Sequence, residues 1–252
     1  MASRNTVFIV DNSSSFTDPS PGILPTIRSG ILAALDETVA ASGSPADYRL
    51  ALLTPDNDQV HVRLNLGTNN RTDFVTALNA LPQVDDPKGN VYPESCDECL
   101  RTAIEARLEI QVTTPDYCTR PLPPPLGPDP ARLQIGDFSA AFSKARKVVI
   151  LVTDAPPGGF CDQEDFLADP AYALHALDIA SEAYSAGIKV NSIHIPRGEG
   201  TQAWPWQWQA ESIMQRYGGL TCGWYAMPQV AEDVIKETVL RAVYSAGTCA
   251  GP

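Results

Sequence analysis

Thr6-Val7-Phe8-Ile9-Val10-Asp11-Asn12-Ser13-Ser14-Ser15 is a five-residue apolar run that stops at a carboxylate followed by hydroxyls. A run this short, β-branched-rich and without polar alternation suits a strand buried on both faces, the kind that parallel sheets contain. Residues 148–152, Val-Val-Ile-Leu-Val, repeat the pattern as the most apolar run in the chain and stop at Thr153-Asp154-Ala155-Pro156-Pro157. This second run is the expected central strand.

Between and beyond these runs, strands and helices alternate. Residues 23–39 carry Ile23, Ile27, Ile31, Leu35 and Val39 at helical spacing, with Pro19, Pro21 and Pro25 crowding the start. Residues 48–53 and 59–65 read as two strands joined by Thr54-Pro55-Asp56-Asn57-Asp58 in a hairpin. Helices are expected over 73–81, 95–110, 170–186, 211–217 and 230–246, a strand over 188–195 and an edge strand over 222–226. Gly187 stops the helix before the 188–195 strand. The order predicts an α/β fold: a Rossmann-like, doubly wound, mostly parallel six-stranded sheet with one antiparallel edge strand and helices on both faces. Ligands in such folds sit at the carboxyl ends of strands, near the switch in strand order, so the turns after Val10 and Val152 should share a crevice. A single domain over 1–252 is expected. Its Pro-rich insertion at about 111–143 holds Pro121, Pro123, Pro124, Pro125, Pro128 and Pro130, which suit neither a helix nor an inner strand.

Composition narrows the function. Thirty acidic against 18 basic residues give a formal charge of −12, which repels phosphate backbones and anionic headgroups and tolerates divalent cations. No apolar run approaches the roughly 20 residues of a spanning helix. Nucleic-acid binding and membrane insertion are therefore not expected. Met1–Asn5 leads straight into the first strand with no basic-then-apolar leader. The chain is thus read as cytosolic or as a fragment of a longer precursor.

If the two turns meet, the carboxylate of Asp11, the hydroxyls of Ser13 and Ser15 and the carboxylate of Asp154 converge. An all-oxygen set of this kind suits a hard cation, and two anionic ligands leave a divalent ion electrophilic enough to take an outside carboxylate. The alternative for Asp11, Ser13 and Ser15 is a polar turn capping the next helix. With these residues in place, the chain resembles the von Willebrand factor A family. Asp11-x-Ser13-x-Ser15 matches its metal-ion-dependent adhesion site, and Asp154 matches its distal aspartate. Tyr92-Pro93-Glu94-Ser95 resembles the integrin β-subunit version of a third loop, in which Glu94 stands where threonine is usual, and Leu100 falls where the following helix usually carries an apolar residue. The resemblance implies Mg²⁺, with Ca²⁺ or Mn²⁺ as alternatives, held by Asp11, Ser13, Ser15, Glu94 and Asp154. Asp85, Asp86 and Asn90 lie in the same loop as alternatives to Glu94. Asp18 is read either as a ligand of an adjacent regulatory metal or as an acid favoured by a helix N-terminus.

The six cysteines, Cys96, Cys99, Cys118, Cys161, Cys222 and Cys249, are even in number and outside zinc-ligand spacing, so structural disulfides and an oxidising compartment are expected. The topology of the family fold suggests Cys222–Cys249 as one pair. Cys96-x-x-Cys99 as a redox motif is the lesser reading, since Asp97 and Glu98 between the thiols raise their pKa. Trp204, Trp206 and Trp208 gather in one loop after the 188–195 strand, on the expected metal side. They are read as ligand contacts or as packing for the next helix.

The expected function is a metal-dependent protein-binding or adhesion module, in which the cation captures an acidic residue of a partner protein. It is read as a monomeric domain, extracellular or at the cell surface. No Gly-x-Ser-x-Gly elbow, His-Glu-x-x-His or phosphate-cradling loop is present, and His61, His175 and His194 fall in strand or helix patterns. The chain is accordingly read as a non-enzyme. The rivals are an intracellular scaffold subunit of an ATPase-associated complex and a Mg²⁺-dependent hydrolase.

Overall fold

The structure, a computed structural model, describes residues 4–12, 23–42, 48–56, 59–66, 71–81, 99–100, 103, 146–153, 183, 188–195, 223–226 and 230–244. The chain enters β1 (Arg4–Val10), helix α1 (Leu24–Ser42), the hairpin β2 (Tyr48–Asp56) and β3 (Gln59–Leu64), and helix α2 (Arg71–Asn79). It continues through β4 (Arg146–Thr153), β5 (Ile188–His194), β6 (Gly223–Ala226) and helix α3 (Glu232–Tyr244). Among the described residues the sheet runs β3-β2-β1-β4-β5-β6. All neighbours are parallel except the β2–β3 hairpin, which places the antiparallel strand at one edge as expected.

Burial explains why the apolar runs are uninterrupted. Val7 and Ile9 face one core with Val149, Leu151 and Val190, while Phe8 and Val10 face another with Val148, Ile150 and Val152. The second of these cores receives α1, α2 and α3 through Ile27, Ile31, Leu35, Phe74, Ile235 and Val239. The first receives Cys99, Leu100, Ala103 and Ala183, all helical, so both faces of the sheet are covered. Phe8 and Phe74 meet with centroids 5.2 Å apart and planes at 53°, a tilted packing favoured by the ring quadrupoles. α1 and α3 cross closely at Gly30, where an added Cβ would lie 2.5 Å from Ile235 Cγ2.

Two expectations change in detail. The 54–58 link is shorter than read, because β2 runs on to Asp56 and pairs Pro55 with Val60 and Asp56 with Gln59. Pro55 is tolerated because pairing with β1 ends at Leu53, so the strand's other side needs no donor there. β1 and β4 also begin earlier than their apolar runs, at Arg4 and Arg146, since backbone pairing of the two strands extends past the apolar side chains. Among the described residues no helix is long and apolar enough to cross a membrane. The 111–143 insertion and the 211–217 helix lie outside the described residues.

Candidate metal centre

The chain winds from β1 outward through β2 and β3, then returns to the other side of β1 for β4, β5 and β6. Strand order therefore switches between β1 and β4, and parallel pairing brings their carboxyl ends together in register at Val10 and Val152. A crevice at this switch is where open α/β sheets bind ligands.

Asp11 is the first residue beyond β1 and is fully buried. Its N–H donates to the Val152 carbonyl at 2.9 Å, continuing the β1–β4 pairing by one step. Its Oδ2 accepts a hydrogen bond from Thr153 Oγ1 at 2.7 Å, also buried. Thr153 stands outside the set of residues expected to hold the metal. The available signal was a hydroxyl-bearing, β-branched side chain at the last position of the most apolar strand, directly before Asp154.

One strand further on, His194 pairs in register with Thr153, and the Ile195 N–H donates to the Thr153 carbonyl at 3.0 Å. Buried polar side chains thus cross the carboxyl ends of β1, β4 and β5: Asp11 and Asn12, then Thr153, then His194. A hydroxyl donor orients a carboxylate without neutralising it, and burial of an anionic group favours a nearby cation. The donor chemistry of Asp11 and its hydroxyl neighbour fits a hard divalent ion.

Of the residues expected to hold the metal, the structure places Asp11 at the switch point. Ser13, Ser15, Asp18, Glu94 and Asp154 lie outside the described residues, as do Trp204, Trp206 and Trp208. Among the described residues no group of three or more His, Cys, Asp or Glu side chains gathers to hold an ion. Cys99 is buried in the core beside Leu100, and the other five cysteines lie outside the described residues.

No family model matches the chain, and no curated protein matches it. Solved structures do. Proximal thread matrix protein 1 from the mussel byssus aligns with a TM-score of 0.56 at 14% identity, over 96% of this chain and 47% of that one. A form of the same protein with a zinc-occupied adhesion-site motif aligns at 0.58 and 12%. The SpRpn10 von Willebrand factor A domain aligns at 0.56 and 12%, over 99% of this chain and all of that one. The pilus adhesin SpaC from Lactobacillus rhamnosus GG aligns at 0.60 and 13%, over 98% of this chain and 31% of that one. This chain spans about half the length of the byssus protein it matches. At these identities the likeness shows the fold, which is that of von Willebrand factor A domains.

Proposed function

We propose that this chain is a metal-dependent protein-binding module, in which a divalent cation held at the β1–β4 switch point captures a carboxylate of a partner protein. The observation that carries the reading is the fully buried Asp11 carboxylate, held by the Thr153 hydroxyl at the carboxyl end of β1 in a von Willebrand factor A fold. Asp11, Ser13, Ser15 and Asp154 are the proposed ligands, with Glu94 completing an integrin β-like variant of the site and Asp18 available to an adjacent ion. The cation, Mg²⁺ in preference to Ca²⁺ or Mn²⁺, supplies an electrophilic coordination position. The zinc-occupied motif in the byssus protein supports a divalent ion of some kind.

The chain's own residues have the tasks of holding the ion and fixing its orientation. No bond is made or broken, so the module is not an enzyme. Trp204, Trp206 and Trp208 form the proposed contact surface for the partner. Disulfides among the cysteines other than the core-packed Cys99 and an extracellular or cell-surface setting complete the reading. The byssus protein and the pilus adhesin support that setting by fold alone.

The test is thermal. Adding Mg²⁺ or Mn²⁺ in large excess over its dissociation constant should raise the melting temperature by mass action, and Asp11→Asn should remove the rise. A melting curve indifferent to every divalent ion would defeat the proposal.

A further inference from the structure

Arg28, in the second turn of α1, is half-buried, and among the described residues no carboxylate pairs with it. Its Nη2 donates to the Leu81 carbonyl at 2.8 Å, just past the end of α2. Its Nε is buried with no hydrogen-bond partner, while Nη1, which makes no hydrogen bond either, is open to solvent. A guanidinium carries five N–H donors in a planar fork, so one bond leaves most of that capacity unused. Burial lowers the Arg28 pKa, and no neighbouring charge raises it. The other cations on α1, α2 and α3 each have a carboxylate: Arg71 pairs with Asp36, Lys236 with Glu37 at 2.8 Å and Arg241 with Glu237. In a chain of net charge −12, Arg28 departs from that pattern.

Topology fixes where Arg28 sits. β1 and β2 are parallel, so α1 between them runs back from the carboxyl ends of the strands, and its first turns lie at that end. α2 runs the opposite way to α1, because Arg71 at its start meets Asp36 and Leu81 past its end meets Arg28. Ile27, the residue before Arg28, shares a core with Val10, the residue before Asp11. Arg28 and the proposed cation therefore occupy the same end of the sheet. The first turn of α1 carries no acidic residue, and its partial positive charge adds to that of Arg28.

We propose that Arg28 is a second anchor for the partner, receiving a carboxylate at its open Nη1 while the cation captures another from the same acidic segment. The identity of the partner rests on the cation-capture reading above; the affinity of Arg28 for a carboxylate does not. The bond to Leu81 holds the guanidinium before the partner arrives, so less side-chain freedom is lost on binding. The arriving carboxylate supplies the counter-charge that the described residues lack. The alternative role is structural: α2 has no basic residue in its last turn, and Arg28 brings a cation to the carbonyl that follows it. Capping alone predicts a loss of stability on substitution with no loss of binding, so binding separates the two.

A pair of measurements tests the anchor. In EDTA, sodium acetate is titrated into the unaltered protein while NMR follows the Arg28 Nε–Hε signal, with sodium chloride at equal ionic strength as the control. A saturable shift in acetate that chloride does not reproduce is expected, and its absence would overturn the proposal. In Mg²⁺, the affinity of a hexa-aspartate peptide is read by calorimetry. Arg28→Gln should weaken it several-fold, and Arg28→Lys should restore only part, because an ammonium keeps the charge without the fork. Unchanged affinity in Arg28→Gln, whatever happens to its melting temperature, would leave Arg28 as a cap of α2 and overturn the proposal. Peptide binding indifferent to Mg²⁺ would defeat the cation-capture reading instead, and the acetate shift would still decide for or against Arg28. The acetate shift also decides if Arg28→Gln fails to fold.

Discussion

Thr153→Val tests how the Asp11 carboxylate is held. The substitution keeps the β-branched shape that β4 needs and replaces one hydroxyl by a methyl in a fully buried position. It deletes the 2.7 Å hydrogen bond from Thr153 Oγ1 to Asp11 Oδ2. Hydrogen bonds to charged groups contribute about 1.5–3 kcal/mol, and leaving a buried acceptor short of a donor brings the cost toward the upper part of that range. The added methyl returns roughly 0.8 kcal/mol through burial. A net loss of about 1–2 kcal/mol follows, and a protein of this size loses about 2–4 °C in melting temperature per kcal/mol. Because the bond forms without a cation, this loss should appear in EDTA. Without this donor the carboxylate should be held less firmly, and apparent metal affinity by isothermal titration calorimetry should fall by roughly tenfold, the equivalent of about 1.4 kcal/mol. Thr153→Ser keeps the hydroxyl and should restore most of the affinity. A Val variant with unchanged melting temperature and unchanged metal affinity would refute the assignment of Thr153 as the residue that positions Asp11.

Three further outcomes are expected. Gly30→Val should destabilise the protein by about 1–3 kcal/mol in denaturant unfolding, because a Cβ there meets Ile235 across the α1–α3 crossing and overpacks it; a gain in stability would show that the helices part freely. Asn191→Val should raise the melting temperature by a few degrees. It exchanges a buried amide with neither side-chain atom hydrogen-bonded for a strand-favouring apolar side chain, and relieves a penalty of about 1–3 kcal/mol. A thiol count under denaturing, non-reducing conditions should find no more than two of the six cysteines reactive, Cys99 of the core among them, and six reactive thiols would place the protein in a reducing compartment.

The parts of the fold legible in the sequence are those that burial writes into it. β1, β4 and β5 pack helices on both faces, so their interiors read as continuous apolar runs, and the stripe of Ile27, Ile31 and Leu35 on α1 keeps the helical period. Strand starts were less legible. Arg4 and Arg146 pair through the backbone, which leaves no mark on hydrophobicity. The link of the hairpin is shorter than its turn-forming residues suggest, because β2 runs on to Asp56 and its last residues pair with β3 alone. Asp11 was legible as the first carboxylate after a buried strand. Thr153 was not, since its contact with Asp11 spans 142 positions and becomes visible only when the strand register is known.

The proposed module depends on one hard cation at the β1–β4 switch point with Asp11 among its ligands. Anomalous diffraction at the manganese edge, from crystals grown with Mn²⁺, tests it directly. One strong peak within roughly 2.0–2.6 Å of the Asp11 carboxylate is predicted, the span of metal–oxygen bonds to hard cations. A map with no peak there, or a lysine or arginine head group seated against Asp11 in its place, would contradict it.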